Sequence, residues 1–162
     1  MPIHPFDPIY DENSRILILG TFPSVKSREV QFYYGHPRNR FWSTLASLLQ
    51  DEFPQTVEEK IRFLKTHRIA LWDTCAACEI RGSADAAIRH TVPNDIRPIL
   101  KTADIRAIFC GGKTAGKLYD KHIFPMTGIE AQVLPSTSPA NAACKNDDLL
   151  RAWSAILPYL NG

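Results

Sequence analysis

The run QFYYGHPRNRFW, residues 31–42, sets three rings in a row, then a glycine, then His-Pro-Arg-Asn-Arg ahead of Phe-Trp. A buried strand would not hold so many polar groups, and a solvated loop has no need of so many rings. Tyr34 is the ring least accounted for by core packing, and Gly35 beside it lets a backbone or a ligand approach closely. His36 carries an imidazole that can be either a satisfied buried group or a general acid. Asn39 offers an amide, which has no useful pKa, so any contribution is geometric: it can place a water or donate a hydrogen bond. It also stands ahead of RFWSTLASLL as an N-cap candidate.

Two other segments carry polar groups in patterns worth weighing. CGGKTAG ends like a phosphate-binding loop at Gly112-Lys113-Thr114, but the full spacing requires glycine at position 107, which is Ala107. A nucleoside triphosphate site is therefore not expected. Lys113 at a helix start could still meet a single phosphate. PSTSPAN, residues 135–141, gathers Ser136, Thr137, Ser138 and Asn141 between Pro135 and Pro139. Stiff loops lose less entropy on gripping a partner, which suits a wedge or clamp; an ordinary turn before the last helix is the plainer alternative.

These segments need a scaffold, and the apolar patterning supplies one. RILILG (15–20), IALWDT (69–74), IRAIFCG (105–111) and EAQVLP (130–135) read as strands, the first three apolar enough to be covered on both faces. Helical patterns fall between them, over about Arg40–Gln50, in VEEKIRFLKTH, NDIRPILKTAD and GKTAGKLYDKH, and in the closing NDDLLRAWSAILPYL. Leu149, Trp153, Ile156 and Leu160 there form one stripe, and Asp147 and Asp148 suit the positive end of that helix. Strand–helix alternation predicts an α/β protein, a three-layer α/β/α sandwich with a central four-stranded parallel sheet, formed as one domain over residues 1–162. In such sheets ligands bind beyond the carboxyl ends of the strands. That rule selects GTFPS after the first strand, GGKT after the third and PSTSPAN after the fourth, with the ring-rich run on the first of these connections.

Composition excludes little. A net charge of +2 neither demands nor forbids a polyanionic partner. No apolar run reaches membrane-spanning length and no secretory pattern opens the chain, so a cytoplasmic protein is expected. The C-x-x-C of Cys75 and Cys78 has no second half elsewhere, with Cys110 and Cys144 standing apart, so reduced thiols are expected and no metal or other cofactor.

Taken together, these motifs resemble the uracil-DNA glycosylase superfamily, and most of all its mismatch-specific and hypoxanthine-DNA glycosylase branches. GTFPS lies where that superfamily has its first motif, LPSTSPAN where it has its second, and HPRNRFW is similar to the His-Pro-x-Asn-x-Phe-Trp signature of these branches. IALWDTCAAC with GSADAAIRHTVPND resembles a segment of the hypoxanthine branch. One position departs: most of the superfamily places Asp or Asn before the proline of the first motif, and here that residue is Phe22. The resemblance then implies that the catalytic role falls to Asn39.

The resemblance further implies a base pocket from Gly20, Thr21, Phe22, Pro23 and Ser24, with Tyr34 as the stacking ring and His36 beside it. Backbone amides around Phe22 and Ser24 would hold base edges. Arg38 and Lys113, with Ser136, Ser138, Pro139 and Asn141, would grip DNA, and Ala140 would stand in the wedge position. The implied reaction is hydrolysis of a deaminated base, hypoxanthine first, from DNA in base excision repair. No lysine is placed as a Schiff-base nucleophile, so strand cleavage is not expected. A monomer with DNA as its partner follows. A mismatch-specific uracil or thymine glycosylase, an inactive nucleic-acid or nucleotide-binding module, and a small-ligand flavodoxin-like domain are the alternatives.

Overall fold

The computed structural model describes residues 6–22, 32–79 and 89–161, with residues 77–79, 89 and 90 in backbone only. Four strands, β1 (Ile16–Gly20), β2 (Ile69–Asp73), β5 (Ala107–Gly111) and β6 (Ala131–Leu134), form a sheet in the order β2-β1-β5-β6. All three pairings are parallel. Every residue of β1 is buried, as a strand covered on both faces must be.

Side-chain alternation splits β1 between two cores. Ile16 and Ile18 face helices α1 (Phe41–Leu48), α2 (Val57–Thr66) and α6 (Asn146–Trp153), packing with Phe41, Leu45, Leu64 and Trp153. Leu17 and Leu19 face the other layer, against Ile96 and Ile99 around α3 (Arg97–Thr102), and Ala115 of α4 (Lys113–Leu118). The expected three-layer α/β/α architecture is therefore present. Chain ends of the helices differ by a residue or more from the pattern-based bounds. The fourth helix is the clearest case: its α-helical part stops at Leu118 and continues as a π turn over Tyr119–Ile123 before the short α5 (Phe124–Thr127). The last helix likewise tightens into a 3₁₀ turn over Ser154–Tyr159, where Pro158 cannot donate to an α-helical ladder.

An additional antiparallel pair, β3 (Cys75–Glu79) with β4 (Arg89–Pro93), was not legible in the sequence. Its first strand is CAACE, whose small side chains and lack of β-branched or aromatic residues do not announce a strand. It matters because it turns the chain directly after β2. Asn94, buried, locks that turn: its side-chain amide donates to the carbonyls of Asp73 (2.8 Å) and Cys75 (3.2 Å).

Candidate active site

The three consecutive rings of the opening run have two different jobs. Phe32 and Tyr33 are buried in the core with Trp42. The Trp42 indole N–H donates to the Tyr33 carbonyl at 3.2 Å, and the Tyr33 hydroxyl donates to the Asp7 carbonyl at 3.0 Å. Burial, with the Asp73 carboxylate as the next cause, pushes the Tyr33 phenol well above its usual range. Tyr34 leaves this direction because its backbone is left-handed, φ 54°. For a non-glycine residue that conformation costs on the order of 1–2 kcal/mol, and such strain concentrates at working sites. The Tyr34 ring is half-buried and stacks on Phe41, centroids 3.9 Å apart and planes 11° from parallel. One of its faces is thus covered, and a ligand ring can stack only on the other.

Tyr34 reaches back to the end of β1. A Cβ added to Gly20 would lie 2.4 Å from the Asp73 Oδ1 and 3.1 Å from the Tyr34 hydroxyl oxygen. Glycine is required there because the carboxylate and the phenol both press on the backbone. Asp73 is 4% exposed and ends β2, directly beside Gly20 in register. It was not singled out as a site residue from the sequence, although a charge ending the apolar run IALWD was the available signal. Of the other first-motif residues, Thr21 is buried, with its carbonyl accepting from the Cys75 N–H (3.0 Å) and the Thr74 hydroxyl (3.3 Å). Phe22 is buried against Cys75 and Leu118, an apolar filler. Pro23 and Ser24 lie outside the described residues.

Asn39 joins the first connection to the fourth. Its Oδ1 accepts from the Phe41 backbone N–H at 2.9 Å and from the Thr137 hydroxyl at 2.8 Å, the latter across 98 residues of sequence. The expectation of an N-cap needs a small correction. Arg40 occupies the cap position without a side-chain cap bond, and Asn39 caps from one residue earlier by bonding the N–H of the first helical residue. The turn before it is closed by Asn39 N–H donating to the His36 carbonyl (2.9 Å) and Arg38 N–H donating to the His36 Nδ1 (3.0 Å). Facing a donor, Nδ1 is the accepting nitrogen of the His36 ring, which leaves Nε2 to meet other partners. Arg38 itself is exposed.

The loop after β6 is stiffened by its own side chains. The Ser138 N–H donates to the Ser136 Oγ, the Ala140 N–H to the Ser138 Oγ (both 3.1 Å), and the Asn141 amide to the Ser136 carbonyl (3.0 Å). Pro139–Asn141 forms a 3₁₀ turn that leaves Ala140 exposed at its crest. Arg40, which the sequence reading passed over, fastens this loop to α1. Its guanidinium donates to the carbonyls of Cys144 (2.7 Å) and Asn141 (3.1 Å) and to the Asn146 Oδ1 (3.0 Å). Its backbone N–H donates to the Thr137 carbonyl at 3.1 Å. Lys113 is exposed beside the same loop, since the preceding Gly112, φ 111°, packs against the Ser136 Cβ.

The Cys75 and Cys110 side chains are buried, and burial pushes the Cys110 thiol up to about 12. Among the described residues no group of His, Cys, Asp and Glu side chains is arranged to hold a metal, and no helix is long and apolar enough to cross a membrane.

A strained aromatic at the end of β1, an amide tied across to the loop after β6, and that stiff loop all converge at the carboxyl ends of a four-stranded parallel sheet. The chain belongs to the uracil DNA glycosylase superfamily, whose family model matches residues 8–160. It is 38% identical over 157 residues to a protein of Methanosarcina acetivorans named hypoxanthine DNA glycosylase, covering 95% of this chain and 97% of that one. A protein of the same name from Methanosarcina barkeri is 33% identical over 138 residues, covering 84% of this chain and 86% of that one. The fold is similar to a solution NMR structure of a candidate uracil DNA glycosylase from Methanosarcina acetivorans. The TM-score is 0.83 at 34% identity, with 97% of each chain covered.

Proposed function

We propose that the protein hydrolyses the N-glycosidic bond of deaminated bases in DNA, hypoxanthine foremost, as a monofunctional glycosylase of base excision repair. The observation that supports the reading best is the Asn39–Thr137 bond, which ties the side chain of Asn39 to the loop after β6. Phe22, buried among apolar neighbours, leaves the usual catalytic position of the first motif without polar chemistry, so Asn39 takes the role. The names of the two relatives supply the base.

A base within a duplex is out of reach and is turned out of the stack at a cost of a few kcal/mol. The face of the Tyr34 ring turned away from Phe41 receives it, a contact worth roughly 1–3 kcal/mol. Ala140, on its self-braced loop, fills the gap, while Arg38, Lys113 and the loop hydroxyls meet flanking phosphates. Asp73 reads what deamination changes. Adenine presents a lone pair at N1 and cytosine one at N3; hypoxanthine and uracil present an N–H at the same positions. A buried carboxylate accepts from the N–H and repels the lone pair. As the sugar–base bond lengthens, negative charge grows on the base, and donors already fixed around it gain strength without reorganising. The enzyme works as a single-domain monomer in the cytoplasm, on the nucleoid where the cell has one.

The test is excision from duplex oligonucleotides carrying deoxyinosine, deoxyuridine or deoxyxanthosine, with abasic sites then cleaved by alkali. Deoxyinosine is expected to react fastest, and no product at enzyme excess removes the enzymatic reading in favour of a binding module. Asp73→Asn, of nearly the same shape, should lower the preference for deoxyinosine over deoxyadenosine duplexes in binding; an unaltered ratio removes Asp73 from base reading.

A further inference from the structure

We propose that Thr137 is a positioning residue that commits Asn39 to act as a hydrogen-bond donor, its amide nitrogen stabilising the departing base. This rests on the reading that Asn39 serves excision, and it decides between the two roles open to an amide there, placing a water through its oxygen or donating through its nitrogen. The Phe41 backbone N–H can only donate, so the amide atom 2.9 Å from it is the oxygen, and the side-chain flip is settled by chemistry. With that oxygen facing Thr137 as well, the threonine hydroxyl must be the donor of their 2.8 Å bond. An amide oxygen has two lone pairs, and both are engaged. What Asn39 presents to a ligand is its NH₂ group.

Thr137 is built to hold this polarity. It is 4% exposed, and its own carbonyl accepts from the Arg40 N–H at 3.1 Å. Branching at Cβ restricts its side-chain rotation. The hydroxyl is thereby aimed at Asn39, and the cap bond to Phe41 holds the amide from the other side. The capping and catalytic readings of Asn39 are not rivals: the oxygen starts the helix and the nitrogen faces the reaction.

The step balances simply. The bond from C1′ to the base nitrogen breaks, and its electron pair stays with the base. Water oxygen bonds C1′, and the proton it loses goes through solvent to the base, giving a free neutral base and an abasic sugar. A donor at the base strengthens while that electron pair arrives, whereas an acceptor placed there would oppose it.

Single-turnover excision of a deoxyinosine duplex tests this. Thr137→Val replaces the hydroxyl with a methyl of the same shape, and should slow the chemical step by roughly tenfold to a hundredfold with duplex affinity and melting temperature little changed; Thr137→Ser should recover most of the rate. Asn39→Asp gives a separate readout. Ionised, it carries a second acceptor in place of the NH₂, so activity should be lost at neutral pH and return as the pH falls and the carboxyl becomes an O–H donor. If the oxygen instead steers water, the carboxylate is the better base and the Asn39→Asp rate climbs with pH, which overturns the proposal. An Asn39→Ala rate equal to wild type overturns the role of Asn39 itself. A dead Asn39→Ala beside a fully active, folded Thr137→Val overturns only the inference about Thr137.

Discussion

Ser136, Ser138 and Asn141 bond one another, whereas Tyr34 rests on the first residue of α1, and Asn39 and Arg40 reach across to the chain after β6. The loop after β6 therefore keeps its shape largely by itself, with two prolines, three internal hydrogen bonds that involve side chains and the backbone bond from the Asn141 N–H to the Ser138 carbonyl. The segment after β1 borrows its shape: Tyr34 from Phe41, Asn39 from Thr137, Arg40 from residues 141–146. On the proposed function this division suits two tasks: a wedge that enters DNA loses less entropy if it is rigid beforehand, and a catalytic amide need be correct only once the sheet has brought its partners to it. Substitutions in the two segments should accordingly fail in different ways.

The largest effect belongs to Asn39. Asn39→Ser retains an oxygen that can accept from the Phe41 N–H, and so keeps most of the cap contribution of about 1 kcal/mol, but it withdraws the NH₂. Excision should fall by about 10²–10³, the range for removing one donor to developing charge, with melting temperature nearly constant by calorimetry. A parallel fall in melting temperature and activity would make Asn39 a structural cap alone.

Arg40→Met comes next. It removes three side-chain bonds while keeping the aliphatic stem, which loosens the loop after β6 from α1 and leaves the bonds of Thr137 to Asn39 and to the Arg40 N–H in place. Excision from duplex DNA should drop on the order of tenfold, and excision from single-stranded DNA, where no base pair has to be opened, should drop far less. An equal loss on both substrates would mean that the loop needs no anchor.

How much of this was open to reading from the sequence follows the same division. β1 and β5 announced themselves because strands buried on both faces are continuous apolar runs, and PSTSPAN because proline and hydroxyl residues are local signals. Asn39 was singled out as a helix cap from its place ahead of RFWSTLASLL and as a candidate catalyst only through the resemblance of HPRNRFW to a family signature; its tie to Thr137 was not legible, because nothing local links residues so far apart. Nothing local distinguished Arg40. Only the fold shows its half-buried guanidinium set among the Cys144 and Asn141 carbonyls and the Asn146 Oδ1, which a lysine could not serve in the same planar way. Asp73 was hidden by its position at the end of a strand, where a charge normally marks the exit to solvent; the β3–β4 pair and the Asn94 clamp turn it back inside.

The smallest effect sharpens the contrast, because two glycines present nearly the same collision to different neighbours. A Cβ on Gly20 would stand 2.4 Å from the Asp73 Oδ1 and 3.1 Å from the Tyr34 oxygen; one on Gly116 would stand 2.5 Å from a Val133 methyl. Either alanine should destabilise by about 1–3 kcal/mol, the usual cost of overpacking. Val133 is 50% exposed and can yield toward solvent. It stands two residues ahead of the PSTSPAN loop, yet the loop is braced internally, so Gly116→Ala should leave excision unchanged once the fraction folded is accounted for. Asp73 has no such freedom at 4% exposure, and Tyr34 is already strained. Gly20→Ala should therefore lose several-fold in activity beyond its loss of stability. Equal specific activities for the two folded variants would mean that the borrowed segment is as well braced as the loop, and that the left-handed turn at Tyr34 is held by contacts other than those at the end of β1.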